Sequence, residues 1–470
     1  MNLNTSISKR GYSLIKNELS STELQQIRKE LTVKPYVNHN YSSDSNSFPI
    51  FMESYTKLYL PRYYGIKKYG NPKNTKILEG EPIDFTFTQN LRENQIKVAE
   101  TYLKAAEECG GGIISVPCGY GKTVIALNIA TRLKVKTLIV VHKEFLMNQW
   151  KERISQFLNG YEIGTIQKNI FEIEDKNIVL GMLQTISMKD FEENAFSTFG
   201  LVIFDECHHL GAEVFSRALF KTSCKYTLGL SATPKRTDGL QKIFEWYLGD
   251  IVFQIKKRKQ ENVNVKVIKY FSENDEYAKI ETNYQKKPNM SKMMNNICNY
   301  LPRNNLIIEE IKKLVEDDRK TLILSNRKSQ LKFIKDELDD NNICTTGYYL
   351  GGMKESELKL SETKQIMLAT FSMAEEGLDC KDLDSVFLIS PKSNIEQAVG
   401  RILRKEESMR EKIPLVIDIF DNFSVFDNQC NKRLKFYKKN DYDITIFDLL
   451  NNSEIKLDKK KKKEKELSFI

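Results

Sequence analysis

Short apolar runs alternate with amphipathic stretches from about residue 90 onward. The apolar runs predict strands at 112–116, 136–142, 177–181, 201–204 and 226–230. Between them, residues 124–133 and 145–157 carry apolar positions at helical spacing. Strands that alternate with helices in this way are typical of βαβ units built on a parallel sheet.

A second series of the same kind follows. Strands are predicted at 320–324, 365–369, 385–389 and 415–419, and helices at 304–316, 328–338 and 394–404. The intervening residues 256–300 are polar and irregular and are predicted to be a linker or crossing segment. The pattern therefore predicts an α/β protein in five parts: an N-terminal accessory domain over 1–87, α/β domains over 88–255 and 301–455, the linker, and a Lys-rich tail over 456–470.

The first 85 residues show no strong periodicity. Ser20 and Glu23 have the spacing of a capping box and predict a helix start, and residues 38–47 are polar and predict a loop. Tyrosines alternate with lysines and arginines over residues 55–69. Such a segment suits stacking on bases and contact with phosphates, but it equally suits a small β-rich domain with ordinary tyrosine usage.

The composition excludes several classes of protein. The chain has 470 residues, of which 40% are hydrophobic and 29% charged, too apolar for a disordered protein. No run approaches the roughly 20 apolar residues of a membrane helix, and Met1–Arg10 lack the apolar core of a secretory signal. The net charge of +9 permits a polyanionic partner without requiring one, and five successive lysines at 459–463 supply part of it.

The cysteines indicate a reducing compartment. Eight cysteines are scattered without a CxxC pair, and there are only four histidines, so we expect neither a structural zinc nor a disulfide framework. Cys207, beside His208 and His209, is the one local cluster, and a strand end without metal explains it better. We expect an intracellular, cytoplasmic protein with no membrane partner.

A phosphate-binding loop is predicted between the first strand and the first helix of the α/β series. Glycines allow backbone N–H groups to turn inward around phosphate oxygens, and the helix N-terminus adds positive charge. Lys122 would contact the β- and γ-phosphates, and the Thr123 hydroxyl would contact Mg²⁺. The strict pattern has glycine at its first position, where this chain has Val116. The candidate nucleotide-binding residues here are Pro117, Cys118, Gly119, Tyr120, Gly121, Lys122 and Thr123.

Two carboxylates follow the apolar strand at 201–204. Ligands gather at such strand ends in open parallel sheets. Asp205 would hold Mg²⁺, directly or through water, and Glu206 would accept a proton from the water that attacks the γ-phosphate. A solvated acidic loop is the alternative. The spacing along the sequence between the phosphate-binding loop and these carboxylates favours the nucleotide site instead.

Three further motifs carry polar side chains. Ser231, Ala232 and Thr233 close a strand and could relay hydrogen bonds, although a simple turn before Pro234 explains them as well. Arg401 and Arg404 lie three residues apart and would share a helix face, where two guanidiniums can clamp a polyphosphate. Gly377 and Asp379 close another strand and could contact ribose or couple the two α/β domains.

With these motifs in order, the chain resembles superfamily 2 helicases and translocases over roughly residues 88–440. Residues 119–123, 205–208, 231–233, 369–379 and 397–404 look like motifs I, II (in its DExH form), III, V and VI. The resemblance implies two RecA-like domains that close on ATP and Mg²⁺. It also implies adenine recognition by Gln95, coupling by His208, Ser231, Ala232, Thr233 and Gln397, and contact with the nucleic-acid backbone by Gln184, Thr185 and Thr370.

The loop around Lys122 and the segment 231–239 are similar to the branch that contains the xeroderma pigmentosum group B subunit of TFIIH, UvsW-type and RadD-type proteins. The N-terminal segments and residues 436–439 look like helicases of large cytoplasmic DNA viruses, the group of the poxvirus transcript-release helicase. This resemblance implies an ATP-dependent DNA helicase or translocase of 3′-to-5′ polarity, in transcript release or repair and in contact with the transcription machinery. A duplex-DNA translocase that separates no strands and an RNA helicase remain alternatives.

Overall fold

The structure, a computed structural model, describes residues 3–35, 47–117, 119–211, 213–232, 239–255, 261–378 and 380–457. The chain divides into two compact units, Met1–Lys256 and Lys257–Ile470. No helix in the described ranges combines the length and apolarity needed to cross a membrane.

The first unit begins with a small sheet and two helices. Its elements are β1 (Ser6–Ser8), β2 (Gly11–Ile15), α1 (Ser21–Glu30), β3 (Thr32–Val33), β4 (Phe48–Pro49), β5 (Met52–Glu53), β6 (Lys57–Leu60), α2 (Arg62–Tyr69) and β7 (Asn74–Thr75). Five of the strands form a sheet in the order β5-β6-β2-β1-β7. The predicted capping box is confirmed, since the Ser20 hydroxyl accepts from the Glu23 N–H at 3.2 Å and the Glu23 carboxylate accepts from the Ser20 N–H at 2.8 Å.

The α/β part of the first unit holds a larger sheet. Its elements are β8 (Thr86–Phe87), α3 (Glu93–Cys109), β9 (Gly111–Ser115), α4 (Lys122–Leu133), β10 (Thr137–Val141), α5 (Glu144–Phe157), β11 (Leu158–Asn159), β12 (Ile163–Gln167), β13 (Ile170–Phe171), β14 (Ile178–Met182), α6 (Leu183–Met188), β15 (Leu201–Phe204), α7 (Glu213–Lys221), β16 (Tyr226–Ser231), α8 (Gln241–Leu248) and β17 (Ile251–Gln254). The order is β13-β12-β14-β10-β15-β16-β9-β17, and only β13 is antiparallel to its neighbour. Strands β9, β10 and β15 are buried along their whole length, as apolar strands covered on both faces must be.

The N-terminal sheet packs directly on this α/β part. The Tyr63 hydroxyl lies 3.0 Å from the Thr227 hydroxyl, and Tyr64 packs edge-on against Trp246. Arg62 donates to the Lys225 carbonyl at 2.8 Å. Tyr63 and Tyr64 are therefore buried structural residues, and the interpretation of the segment 55–69 as a base-stacking surface is wrong for them. Tyr55, by contrast, is 98% exposed.

The second unit is built on another eight-stranded sheet. Its elements are β18 (Asn264–Tyr270), α9 (Asp275–Ala278), α10 (Met290–Asn299), α11 (Leu301–Glu316), β19 (Thr321–Ser325), α12 (Lys328–Asp340), β20 (Thr346–Tyr349), α13 (Glu355–Glu362), β21 (Ile366–Thr370), α14 (Phe371–Gly377), β22 (Ser385–Leu388), α15 (Glu396–Val399), β23 (Leu415–Asp421), α16 (Phe426–Lys439), β24 (Asp443–Asp448) and β25 (Ser453–Leu457). The order is β20-β21-β19-β22-β23-β18-β24-β25, parallel except for β25. The predicted fold class, α/β with two parallel-sheet domains of the RecA-like type, is confirmed.

Two local predictions for the second unit are corrected. The segment 256–300 is not irregular throughout: β18 is an interior strand between β23 and β24, and α10 follows it. The predicted helix at 394–404 is only α15 followed by a 3₁₀ turn, Gly400–Leu403. The polar loop predicted at 38–47 and the lysine run at 459–463 lie almost wholly outside the described residues.

Candidate nucleotide site

The loop between β9 and α4 has the backbone that a phosphate cradle requires. Gly119 and Gly121 adopt positive φ angles of 81° and 90°, which side-chain-bearing residues rarely do. A Cβ atom added to Gly121 would lie 2.3 Å from the Gln95 amide nitrogen, so a side chain there would displace the Gln95 amide. Helix α4 begins at Lys122 and is held by apolar residues on its buried face, among them Ile125 and Ile129. Pro117 and Tyr120 lie in this loop, and Cys118 is outside the described residues.

The lysine of this loop meets the acidic strand end. Lys122 Nζ donates to Glu206 Oε1 at 2.6 Å, and both side chains are only 12% exposed. Glu206 adopts a positive φ of 47°, an uncommon conformation for a residue with a side chain. Parallel strands β9 and β15 end at the same edge of the sheet, which is why residues 84 positions apart in the chain come together here.

Asp205 is held in place by a residue that the sequence analysis missed. Trp150 on α5, only 1% exposed, donates its indole N–H to Asp205 Oδ2 at 2.9 Å. The Glu206 backbone N–H donates to the other oxygen, Oδ1, at 3.0 Å. A buried indole N–H needs an acceptor. A tryptophan in a predicted helix, near a strand that ends in carboxylates, was therefore the signal by which this contact could have been predicted.

The two adjacent carboxyl groups have opposite pKa shifts. Burial raises the pKa of Asp205, and the neighbouring Glu206 charge raises it further. Burial acts on Glu206 in the same direction, but the Lys122 ammonium and His208 outweigh it and hold the pKa of Glu206 well below its ordinary value. Glu206 is therefore ionised while it is paired with Lys122.

Two of the residues predicted to couple the site to its surroundings, His208 and Ser231, lie in contact. His208 Nδ1 lies 3.1 Å from the Ser231 hydroxyl and 3.4 Å from Glu206 Oε2. His209 stacks on both His208 and His142, with ring centroids 4.4 and 4.0 Å apart. A chain of polar contacts thus runs from the Glu206 carboxylate to the end of β16. Ala232 follows that strand, and Thr233 lies outside the described residues.

Gln95 lies next to the phosphate loop and is 5% exposed. Its amide donates to the Tyr120 carbonyl at 2.9 Å, and its carbonyl accepts from the Arg92 N–H at 3.1 Å. The amide of the predicted adenine-reading residue thus fastens α3 to the loop, and its carbonyl caps the first turn of α3.

The predicted nucleic-acid contacts lie at strand ends in both units. Gln184, on α6, donates to the His142 carbonyl at 2.7 Å. Thr185 accepts from the Lys168 N–H at 3.0 Å. Thr370 ends β21 at the start of α14 and is half-buried.

In the second unit the two motif arginines, Arg401 and Arg404, differ in how deeply they are buried. Arg401 is 4% exposed and donates both to the Leu378 carbonyl, at 2.7 Å, and to the Glu375 carbonyl. Its guanidinium holds the end of α14. This contradicts the expectation that the guanidiniums of Arg401 and Arg404 lie on one face and clamp a polyphosphate together. Arg404 and Gln397 are half-buried. Gly377 is the last residue of helix α14, so the prediction that it closes a strand is wrong, and Asp379 lies outside the described residues.

The residues of the first unit fit ATP and a divalent cation. Glu206 Oε2 is buried and has no hydrogen-bond donor among the described residues. The Thr123 hydroxyl likewise makes no hydrogen bond within the described part of the chain, and it lies in the first turn of α4. Two carboxylates, a hydroxyl and a lysine at a glycine loop form a donor set suited to Mg²⁺ and phosphate oxygens.

Comparisons with known proteins agree with this geometry. The family model of the type III restriction enzyme res subunit matches residues 88–236, and that of the helicase conserved C-terminal domain matches residues 303–406. A protein of Acanthamoeba polyphaga mimivirus named as ATP-dependent RNA helicase L396 is 38% identical over 456 residues, which cover 94% of this chain and 87% of the relative.

More distant relatives share most of the chain. The African swine fever virus protein named as ATP-dependent RNA helicase QP509L is 26% identical over 375 residues, covering 74% of this chain and 73% of the relative in one strain. Helicase D10 of Escherichia phage T5 is 27% identical over 350 residues, covering 73% and 75%. The chain belongs to the superfamily 2 helicases, enzymes that hydrolyse ATP and act on nucleic acid.

Proposed function

We propose that this chain is an ATP-dependent DNA helicase or translocase that moves 3′ to 5′. The observation that carries the ATP-hydrolysing part of the proposal is the gathering of Lys122, Asp205 and Glu206 at one edge of the first large sheet, with Lys122 and Glu206 in direct contact at 2.6 Å. The choice of DNA and the 3′-to-5′ polarity rest on the resemblance to the xeroderma pigmentosum group B, UvsW and RadD branch. This is the donor set needed to bind a triphosphate and to activate water against it.

The contact between Lys122 and Glu206 suggests how catalysis is linked to binding. ATP with Mg²⁺, when bound, supplies the scissile bond and the charge that Lys122, Thr123 and Asp205 would hold. Lys122 is the main attractive charge that lowers the pKa of Glu206. If Lys122 turned toward a bound phosphate, Glu206 would lose this partner, and its pKa would rise toward the ordinary value, which would make it a stronger base. Glu206 is thereby a weak base for as long as Lys122 contacts it.

The remaining motif residues take supporting roles in this proposal. His208 and Ser231 relay the state of Glu206 to the end of β16 through contacts of 3.4 and 3.1 Å. Arg404 acts as the arginine that stabilises charge developing on the γ-phosphate, whereas Arg401 fixes the end of α14 that it already contacts.

DNA is favoured as the substrate by the similarity of the loop around Lys122 to the xeroderma pigmentosum group B, UvsW and RadD branch. RNA is the second candidate, since two of the relatives bear the name of RNA helicases. A role in transcript release or repair, with the transcription machinery as a partner, is proposed from the resemblance of the N-terminal segments and residues 436–439 to helicases of large cytoplasmic DNA viruses. A duplex translocase without strand separation is the alternative mode of action.

Steady-state ATPase with duplex DNA, forked DNA, single-stranded DNA and RNA, measured side by side, tests the proposal. We expect the largest stimulation from DNA, together with release of a strand from partial duplexes that carry a 3′ overhang. Stimulation by RNA alone would replace DNA with RNA as the substrate. Triplex displacement without release of a duplex strand would establish translocation without unwinding.

A further inference from the structure

A cavity of about 400 Å³ lies between the N-terminal sheet and the α/β part of the first unit. Its walls come from the β1–β2 hairpin, from β6, and from the segments around residues 193–199 and 221–224. The volume falls in the range of about 300–1,000 Å³ that is typical of small-molecule sites. None of the residues that line it belongs to the nucleotide site described above.

The lining is strongly positive. Among the residues that the structure describes, five cationic side chains and one carboxylate, that of Glu193, line the cavity; the cations are Lys9, Arg10, Lys57, Lys76 and Lys221. Five serines add hydroxyl groups to the same walls. Clustered ammonium and guanidinium groups with hydroxyl donors are the groups that bind phosphate oxygens.

The five cations are not equivalent. Lys221 donates to the carbonyls of Ile186, Ser187 and Lys189 at 3.0, 3.1 and 2.6 Å. All three of its N–H groups are therefore used, and it contributes only its charge to the cavity. Lys57 and Lys76, in contrast, form no ion pair with any residue that the structure describes, and no hydrogen bond of their ammonium groups is present there.

Glu193 shows what the remaining two cations bind. Its carboxylate lies 3.1 Å from Lys9 and 3.0 Å from Arg10, and its own side chain is 64% exposed. Hydrogen bonds from Lys9 and Arg10 lower the pKa of Glu193. The cations at the mouth of the cavity thus already hold an exposed anion, and an exposed pair of this kind is weak enough to be exchanged.

We propose that this cavity is a second anion site, which takes a phosphate group in exchange for the Glu193 carboxylate. Lys57 and Lys76 would contact the phosphate directly, and Lys9 and Arg10 would turn to it from Glu193. The phosphate belongs either to a single-stranded nucleic acid, in which case the inference rests on the function proposed above, or to a free phosphorylated molecule. A cavity of about 400 Å³ cannot enclose a duplex, whose major groove alone is about 12 Å wide.

Two measurements distinguish these sources. Inorganic phosphate is titrated by calorimetry while a non-hydrolysable ATP analogue saturates the nucleotide site. A labelled single-stranded oligonucleotide is titrated by anisotropy at several salt concentrations without ATP. The variant K57Q/K76Q removes the two cations that pair with no residue in the described ranges. E193Q removes the competing anion, and K29Q/K104Q removes two exposed lysines that do not line the cavity. Melting temperatures verify that each variant folds.

We expect K57Q/K76Q to weaken phosphate binding about tenfold or more and E193Q to strengthen it, relative to K29Q/K104Q. If the phosphate belongs to nucleic acid, K57Q/K76Q also lowers the slope of log affinity against log salt by about 1.4, which is two contacts at about 0.7 each for a single strand. A loss of phosphate binding with unchanged oligonucleotide binding assigns the cavity to a free phosphorylated molecule.

Unchanged phosphate and oligonucleotide binding in K57Q/K76Q would overturn the inference. A wild-type chain that binds no nucleic acid of any kind would instead refute the proposed function, and the phosphate titration would still report on the cavity.

Discussion

Replacing Trp150 with Phe tests whether Trp150 positions Asp205 for Mg²⁺, because it leaves the other residues of the ATPase site unchanged. The indole N–H is the donor to Asp205 Oδ2, at 2.9 Å, and phenylalanine fills most of the same space without a donor. A hydrogen bond to a charged group contributes about 1.5–3 kcal/mol, and loss of a residue that orients a metal ligand costs about 10–100-fold in metal affinity. We therefore expect the Mg²⁺ concentration for half-maximal ATPase to rise about 10–100-fold, with a smaller change in turnover at saturating Mg²⁺.

Trp246 provides the matched control, because the chain has only two tryptophans. Trp246 packs against Tyr64 and has no contact with Asp205. The W246F variant should need the same Mg²⁺ concentration as the wild type, and binding of Mn²⁺ followed by electron paramagnetic resonance should weaken in W150F only. If W150F and W246F show the same Mg²⁺ dependence as the wild type, Trp150 does not position Asp205.

Three further substitutions address other parts of the account. K122A should abolish ATP turnover while the far-ultraviolet circular dichroism stays that of the wild type; full nucleic-acid-stimulated ATPase would disprove the site. R404A should lower turnover about 10³-fold or more at unchanged ATP affinity, as for arginine fingers, and normal turnover would remove Arg404 from the mechanism. D421N leaves the fully buried Arg303, which donates to both Asp421 oxygens at 2.7 and 2.8 Å, without its counter-charge. We expect a loss of about 3–5 kcal/mol, or about 6–20 °C in the melting temperature of the second unit, in a calorimetric scan; an unchanged transition would show that the pair is not needed.

The strands and motifs of the two α/β domains were predictable because their signals are local. An apolar run that ends in a glycine loop or in two carboxylates carries both its structure and its chemistry within ten residues. The predicted strand at 201–204 and the observed β15 are identical, and the helix predicted from residue 124 begins at Lys122.

What could not be predicted depends on contacts between distant segments. Strand β18 alternates apolar Val265 and Val267 with lysine, a period-two signal that was available but was obscured by the polar residues around it. Nothing local shows that Tyr63 would meet Thr227, 164 positions away. Arg401 illustrates the same limit, because the carbonyls that accept its hydrogen bonds lie 23 and 26 residues earlier, at the end of α14.

The most direct test of the central claim is ATP turnover by the E206Q variant in the presence of saturating nucleic acid. Glutamine keeps the shape of Glu206 but cannot take up the proton from water. A general base contributes about 10²–10⁴-fold, so we predict a fall of that size, with ATP binding retained and with the exposed-acid control E213Q unaffected. Turnover within about twofold of the wild type, in an E206Q protein that binds ATP and melts normally, would contradict the account.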